Sequence, residues 1–287
     1  MAQDRRLQRT PLKVRLYSSL LPGLSETRAL GATRPLTDLI SRRINYRIDF
    51  AVEEGTSPED LLEFGRKLND GTLHLGVVWG LEFGWLRKRF PDLEPFVVVD
   101  QGERFTYQSQ LLVPRQDPLP GLSDLQGRTL VRSKRAPLVD KIFLHARLAK
   151  DRYDTEGFFD LKECGSSRAA IQLLKRGDAQ CMTIDRVTFL NLKAVQPAFV
   201  EGLTLIEHSD DFPMPVIIGR RTRVDALAQD LWAKAQRESL AVHTTTEGEQ
   251  FVLFWHMRKF VKPTPSYLDS VNLAAIKYDI EILTSVK

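Results

Sequence analysis

The fold is decided by residues 57–79, SPEDLLEFGRKLNDGTLHLGVVW, in which a well-delimited helix leads directly into an apolar strand. Ser57 is a typical N-cap, Pro58 suits the first helical position, and Gly71 is a typical helix stop. Residues 73–79 are too hydrophobic for a strand with one solvated face, so we expect both faces to be buried. With an alternating strand predicted at 46–52, this segment forms a β-α-β unit, the building block of a mostly parallel sheet.

The same alternation of strand and helix continues on both sides of this unit. Upstream, the pattern predicts a strand at 13–17, a loop at 18–23 and a helix near 36–44. Downstream, it predicts a strand at 95–99. The segment 104–113 is unusually long for a strand, polar residues are interspersed among its apolar ones, and prolines follow it. We therefore interpret it as a crossover into a second domain.

The second domain repeats the alternation, and two later strands return the chain to the first domain. The predicted elements are a short helix at 122–128, a strand at 129–132, a helix at 137–150, a strand at 158–163, a helix at 168–176, and strands at 179–184, 203–207 and 216–219. The sequence therefore predicts an α/β protein of two lobes, each a mostly parallel sheet flanked by helices, with a ligand cleft between them. Lobe 1 is expected to comprise 12–105 and 213–287, and lobe 2 to be the inserted segment 106–212.

Two helices are predicted near the end of the chain. Residues 222–239 have the pattern of one continuous amphipathic helix. Thr246 and Glu249 have the spacing of a capping box, which predicts the start of a last helix containing Phe251, Phe254 and Trp255.

The composition is that of an ordinary globular protein and excludes several classes. The 287 residues are 43% hydrophobic and 27% charged, which argues against collagen-like, coiled-coil and disordered chains. The net charge of +4 is scattered, so nucleic-acid binding is not indicated; it suits a small anionic ligand, or serves solubility alone. No apolar stretch reaches the 18 residues that a membrane span requires.

The sequence contains no pattern typical of a cofactor or metal site. The five histidines have no metal-ligand spacing, and there is no glycine-rich dinucleotide fingerprint, P-loop or nucleophile–base pair. Neither a cofactor nor a metal is therefore expected. Cys164 ends one predicted strand and Cys181 lies in another, with the strand at 129–132 expected between them. The two cysteines should therefore lie about 10 Å apart, which predicts two free thiols.

The first four residues, MAQD, lack the apolar core of a signal peptide. We interpret them as a start placed before a chain whose export signal has been removed. A natural cytosolic start is the alternative.

Five segments, in order, resemble the phosphonate/phosphate-type substrate-binding proteins of ABC transporters, within the two-lobed periplasmic-binding-protein class. They are LNDGTLHLG (68–76), YQSQLLV (107–113), LSDLQGRTL (122–130), GSSRAAIQLLKRGDA (165–179) and TTTEG (244–248). None is diagnostic alone; their order and spacing carry the resemblance, which spans residues 12–270. It implies an exported periplasmic or extracytoplasmic receptor that closes by a hinge on a small oxyanion, such as phosphonate or phosphate, and delivers it to a membrane permease.

The turn before the helix at 168–176 is the first candidate binding site. Gly165 allows close backbone approach, Ser166 and Ser167 offer hydroxyls, and a helix N-terminus attracts anions. Simple N-capping by either serine is the alternative. Asp185, which matches the family's acidic position, would accept a hydrogen bond from the ligand; capping of the following helix is its alternative role.

The segment after the strand at 129–132 departs from the family. The resemblance implies several small hydroxyl residues around the anion here, whereas this chain has SKRAP (133–137) with Ser133 alone. Arg135, or Lys134, would supply positive charge instead, since a guanidinium matches a phosphate or carboxylate. Solvated loop cations are the alternative. Ser167 stands where the family has a histidine.

Lobe 1 offers further candidates at the ends of its strands. Ser18 and Ser19 follow the first strand, and Trp79 and Glu82 follow the buried strand, near where the family often places an aromatic residue. Trp79 is either a ligand wall or core. Tyr107 lies on the crossover, where it either contacts ligand or packs the hinge.

Two other function classes remain open. The first is an enzyme on the same two-lobed architecture, for which Cys164 is the only candidate nucleophile and ordinary packing is its alternative. The second is a sensor that reports ligand occupancy to a membrane kinase, which the binding lobes alone cannot distinguish from a transport receptor.

Overall fold

A computed structural model describes residues 10–21, 25–102, 107–115, 120–134 and 136–280. The strands are β1 (Leu12–Tyr17), β2 (Ile48–Glu53), β3 (Leu75–Val78), β4 (Glu94–Asp100), β5 (Ser109–Pro114), β6 (Thr129–Ser133), β7 (Asp160–Cys164), β8 (Cys181–Asp185), β9 (Leu203–His208), β10 (Val216–Gly219) and β11 (Lys259–Val261). The helices are α1 (Glu26–Ile44), α2 (Pro58–Asp70), α3 (Gly80–Arg89), α4 (Leu138–Ala149), α5 (Thr155–Phe158), α6 (Ser167–Arg176), α7 (Arg186–Val195), α8 (Pro197–Val200), α9 (Arg221–Asp225), α10 (Leu231–Ala241), α11 (Thr246–Phe254) and α12 (Pro265–Lys277). They form two α/β lobes, as predicted.

Lobe 1 is built on a six-stranded sheet of order β11-β4-β10-β3-β1-β2. Strand β1 pairs in parallel with β2 and β3, while β10 runs antiparallel between β3 and β4. Strands β1 to β4 therefore all point the same way, and their carboxyl ends lie at one edge of the sheet.

Lobe 2 is built on a five-stranded sheet of order β7-β6-β8-β5-β9. Strand β6 pairs in parallel with β7 and β8, and β5 runs antiparallel between β8 and β9. The chain passes from one sheet to the other after β4 and returns after β9. The domain boundaries at 105/106 and 212/213 stay predictions within these two connections.

The segment 57–79 folds as its sequence predicts. The Ser57 hydroxyl accepts from the Asp60 amide at 3.1 Å, and the Asp60 carboxylate accepts from the Ser57 amide at 3.0 Å, which completes a capping box. Gly71 ends α2 with a φ of 88°, a left-handed conformation that glycine adopts without strain.

A cluster of buried apolar side chains connects the two lobes. Leu138, Val139 and Ile142 of α4 belong to the same core cluster as Trp79 and Trp85 of lobe 1. Helix α4, which follows the first parallel strand of lobe 2, is therefore packed against lobe 1 as well as against its own sheet.

Two predictions near the end of the chain are wrong. The single helix expected at 222–239 is two helices, α9 and α10, because Asp230 adopts a φ of 56° between them and the Asp225 carboxylate accepts from the Trp232 amide at 2.9 Å. The N-cap of α11 is Thr245, whose hydroxyl accepts from the Gly248 amide, so Thr246 and Glu249 form no capping box.

Several helices differ from the expectation in extent or were not expected, among them α1, α3 and α12. Helix α11 is not the last one, since α12 follows. Helix α1 begins ten residues before the predicted start, capped by Ser25 and continuing through Pro35. Helix α3 was not predicted. No helix among the described residues is long and apolar enough to cross a bilayer.

Candidate functional site

The carboxyl ends of the parallel strands bring the candidate residues to the region between the lobes. Ser18 follows β1, Trp79 follows β3, Ser133 is the last residue of β6, and Asp185 is the last residue of β8. In open α/β sheets ligands bind at this edge, where loops and helix N-termini converge.

In lobe 1, Ser19, Trp79 and Glu82 form one hydrogen-bonded group at the start of α3. The Glu82 carboxylate accepts from the Trp79 amide at 3.0 Å and from the Ser19 hydroxyl at 3.1 Å. The Trp79 indole donates to the Ser19 carbonyl oxygen at 3.2 Å. Ser18 does not belong to this group, because its hydroxyl donates to the Gly55 carbonyl and accepts from the Gly55 amide.

Glu82 is a buried acid whose carboxylate is only partly stabilised by hydrogen bonds. Its side chain is fully inaccessible, and Oε1 has no hydrogen-bond partner among the described residues. Burial raises the pKa of Glu82 to about 7, against the lowering effect of the bonds from Trp79 and Ser19. The carboxyl group therefore changes charge near neutral pH.

Tyr107 is buried at the first crossing between the lobes. Its ring lies 3.9 Å from that of Trp79 and 5.7 Å from that of Phe212, between centroids. Asp140, in the first turn of α4, is buried close by, and burial raises the pKa of Asp140 to about 8, with a further contribution from the negative charge of Asp185. A cluster of aromatic and acidic side chains thus fills the space between the lobes at the first crossing.

In lobe 2, Ser166 and Asp185 each cap a helix. The Ser166 hydroxyl accepts from the Ala169 amide at 3.2 Å at the start of α6, and the Asp185 carboxylate accepts from the Thr188 amide at 2.8 Å at the start of α7. Burial raises the pKa of Asp185, and these capping bonds oppose the rise. Ser167, the first residue of α6, is buried beside them.

A cavity of about 630 Å³ is lined by residues of both lobes. Four of the candidate residues line it: Trp79 of lobe 1 and Ser166, Ser167 and Asp185 of lobe 2. The other described candidates do not line the cavity. Ser18, Ser19 and Glu82 belong to the buried hydrogen-bonded groups of lobe 1, Tyr107 lies at the first crossing, and Ser133 ends strand β6 of the lobe 2 sheet. Arg135 lies outside the described residues.

The sequence prediction missed several polar residues that line the cavity, among them Arg28, Arg168 and Asn191. Arg28 lies in the first turn of α1, which begins ten residues before the helix predicted from the apolar spacing. Arg168 lies in the first turn of α6, and Asn191 lies in the middle of α7. Arg168 immediately follows Ser167, so its place beside the helix N-terminus was available as a signal.

The two cysteines are free, as predicted, and β6 separates their strands. Burial raises the pKa of the Cys164 thiol, and it raises the pKa of Cys181 to about 12. Cys164 therefore lacks the lowered pKa of an activated nucleophile. Among the residues described, no three His, Cys, Asp or Glu side chains are grouped so as to hold a metal ion.

Residues 19–268 match the family described as ABC transporter, phosphonate, periplasmic substrate-binding protein. No curated protein matches the chain. Among solved structures, XAC2383 from Xanthomonas citri bound to ATP is 13% identical with a TM-score of 0.74, covering 96% of this chain and 99% of that one.

Two solved phosphonate-binding proteins have the same fold. PhnD1 from Prochlorococcus marinus in complex with methylphosphonate is 12% identical with a TM-score of 0.70, covering 93% of this chain and 97% of that one. A binding protein component of an ABC phosphonate transporter from Pseudomonas aeruginosa is 12% identical with a TM-score of 0.72, covering 98% and 90%. At these identities the likeness establishes the two-lobed architecture.

Proposed function

Because the chain belongs to the periplasmic substrate-binding proteins of ABC phosphonate transporters, we propose that it captures a small organic oxyanion between its lobes and delivers it, chemically unchanged, to a membrane permease. The ligand class includes phosphonates, phosphate esters and related anions. An exported, extracytoplasmic location follows from this role, since the family works in the periplasm.

The observation that carries the proposal is the Ser166–Ser167 turn at the start of α6. This ten-residue helix begins at the carboxyl edge of the lobe 2 sheet, beside the cavity that Trp79 lines from lobe 1. The first amides of a helix have no intrahelical partners, and together with the helix dipole they favour an anion. Arg168 adds positive charge at the same turn.

Asp185 is proposed to bind a donor group of the ligand. Its carboxylate lines the cavity, and its capping bond to the Thr188 amide uses only part of its acceptor capacity. A hydroxyl, an ammonium or a protonated phosphonate oxygen would supply the donor. We assign Ser18, Ser19, Glu82 and Tyr107 to supporting the lobe 1 wall rather than to direct contact.

Ligand binding is proposed to close the lobes about the two crossings, with 12–105 and 213–287 moving against 106–212. At the second crossing Asp210 forms an ion pair with Lys277 and accepts from the Tyr278 hydroxyl at 2.7 Å. Across the lobes, the Lys141 ammonium donates to the Thr56 carbonyl at 3.1 Å. The first contacts join the second crossing to α12, and the last joins α4 of lobe 2 to the loop before α2 of lobe 1. A hinge motion would change such contacts.

The test is isothermal titration calorimetry with methylphosphonate, phosphate, sulfate and acetate. We expect binding of at least one oxyanion and a tenfold or greater loss of affinity in Ser167→Ala. Ser123→Ala, an exposed serine in a short 3-10 turn of the same lobe, is the matched control and should bind as the parent protein does. Binding of none of the anions would overturn the proposal.

The sensor alternative is separated from transport by the partner, not by the ligand. A receptor for a permease should stimulate ATP hydrolysis by its reconstituted ABC transporter when loaded with ligand. A protein that binds oxyanions yet leaves that ATPase unstimulated would favour the sensor role.

A further inference from the structure

The cavity extends from the site between the lobes into the interior of lobe 1. Beyond Trp79 it continues between one face of the six-stranded sheet and helices α1 and α11. Its walls there are apolar: Val14 and Phe50 come from the sheet, Leu36 and Ile40 from α1, and Phe251 from α11. The part of the cavity inside lobe 1 is called the apolar chamber below.

The two faces of the central strands show that the chamber is unfilled. Val78 and Val216, which point to the opposite face of the sheet, are completely buried. Val77 and Ile217, on the chamber face of the same strands, are only partly buried, although helices cover that face. Side chains of a central strand under a helical layer are normally close-packed on both faces.

The volume of the cavity exceeds the requirement of an inorganic oxyanion. An apolar cavity of about 150 Å³ accommodates benzene, and pockets of about 300–1,000 Å³ hold drug-sized ligands. The present cavity, at about 630 Å³, lies in the middle of that range. A phosphate or methylphosphonate bound at α6 would leave the apolar chamber empty.

The mouth of the cavity combines positive charge with exposed hydrocarbon. Arg28 of lobe 1 and Arg168 of lobe 2 both line it; neither forms an ion pair among the described residues, and the Arg168 guanidinium donates to the Gln196 side-chain oxygen at 2.7 Å. Val195 and Leu253, from opposite lobes, also line the cavity and are each 73% exposed. Large aliphatic side chains so exposed at a cavity entrance favour a ligand that itself has apolar surface.

The chamber also contains two polar groups that have no hydrogen-bond partner in the part of the chain that the structure describes. The Thr33 hydroxyl is buried and unpaired, with the residue 4% exposed, and the indole nitrogen of Trp255 is unpaired as well. Both residues line the cavity. Because buried polar groups are normally hydrogen-bonded, these two mark positions for one or two polar atoms within an otherwise apolar ligand.

We infer that the ligand is an amphiphile, with an anionic head group at Ser166, Ser167 and Arg168 and an apolar body that occupies the chamber in lobe 1. The head-group assignment rests on the proposed function above, whereas the apolar body rests on the chamber alone. The ligand class is thus an organic phosphonate, phosphate ester or carboxylate that bears a long alkyl chain or fused-ring skeleton.

The experiment measures affinity against chain length in two head-group series. Methyl-, butyl- and octylphosphonate form the first, and butyl- and octyltrimethylammonium form the second, all below their micelle concentrations. Each methylene that enters the chamber should tighten binding about fourfold, as burial of a CH₂ group predicts. The affinity should increase with chain length in the phosphonate series and be highest for octylphosphonate.

A variant at the chamber wall provides the matched control. Val77→Phe places a larger side chain in the chamber and should abolish the gain from methyl- to octylphosphonate while leaving methylphosphonate affinity within twofold. Val77→Ala should keep the gain. Retained methylphosphonate binding in Val77→Phe also shows that this variant folds.

The outcomes separate the two claims. Methylphosphonate binding with no increase toward octylphosphonate overturns the amphiphile and preserves the proposed function. A chain-length increase confined to the ammonium series overturns the anionic head group and preserves the apolar body. Absence of binding in both series overturns both.

Discussion

Glu82 gives the sharpest test of the buried polar group in lobe 1. The perturbation is Glu82→Gln, which keeps an oxygen that accepts from the Trp79 amide and the Ser19 hydroxyl but removes the titratable charge. The folded protein holds the pKa of Glu82 at about 7, above its ordinary value of 4.5, because the side chain is buried. The folded state therefore binds the proton more tightly than the unfolded state does.

The sign and size of the effect follow from this difference. Stability is greatest where Glu82 is protonated in both states, and it falls as pH rises from about 4.5 to about 7. At 1.36 kcal/mol for each pH unit, that interval corresponds to about 3 kcal/mol of unfolding free energy. Glu82→Gln lacks this loss, so its stability relative to the parent protein should rise by about 3 kcal/mol across the same interval.

The assay is urea denaturation followed by circular dichroism at pH 4.5, 5.5, 6.5, 7.5 and 8.5. The control is Glu63→Gln on the surface of α2, where hydrogen bonds from Arg66 lower the pKa of the carboxyl group. The carboxyl group of Glu63 titrates below its ordinary value of 4.5, so the stability difference between Glu63→Gln and the parent should stay nearly constant from pH 4.5 to 8.5. A stability difference between Glu82→Gln and the parent that stays constant from pH 4.5 to 8.5 would refute the reasoning.

Two further predictions concern lobe 2. Asp185→Ala should weaken oxyanion binding by about 1–3 kcal/mol in calorimetry. It should also lower the free energy of unfolding by about 1 kcal/mol through loss of the α7 cap. Asp185→Asn keeps a capping oxygen and should retain the stability, so equal destabilisation by both substitutions would contradict the capping role. Burial raises the pKa of Cys164, and it raises the pKa of Cys181 to about 12. Iodoacetamide at pH 8 should therefore label Cys164 slowly and Cys181 only after unfolding, as measured by mass spectrometry. Rapid labelling of Cys164, with loss of a catalytic turnover, would restore the enzyme alternative.

Much of the fold could be predicted where sequence signals were local and mutually consistent. Helix α2 has its cap, its first proline, its apolar stripe and its terminal glycine in sequence, and the strand that follows is continuously apolar. The separation of Cys164 from Cys181 followed from the order of three strands, which the β-α-β rules constrain.

The errors fall where a local signal was absent or misleading. Helix α3 is buried on most sides, from Gly80 to Leu86, so it lacks the polar face whose periodicity marks a helix. The break at Asp230 requires a left-handed conformation in a segment that contains no glycine, and its amphipathic pattern continues through the break. Helix α1 begins before Pro35 and continues through it with the ring on the exposed side, although a proline in a helix interior usually ends or kinks the helix.

The candidate site was predictable only as far as chain connectivity reaches. Residues at the ends of parallel strands must lie at one edge of their sheet, which is why Ser166, Ser167 and Asp185 were found together. Whether such a residue then lines the cavity or supports its wall depends on side-chain packing. Ser18 and Glu82 are examples, since their hydrogen bonds to Gly55 and Ser19 involve partners that sequence position does not reveal.

The apolar chamber could not be predicted from the sequence for a more general reason. Alternation and helical periodicity establish which face of an element is apolar, and Val77, Ile40 and Phe251 all have the pattern of core residues. That pattern is the same whether the facing side chains meet or leave space, because the space depends on their summed volumes and on the distance between sheet and helices. A ligand that completes the core of lobe 1 therefore leaves no motif, and its apolar character is recorded only in the volume that the folded chain leaves unfilled.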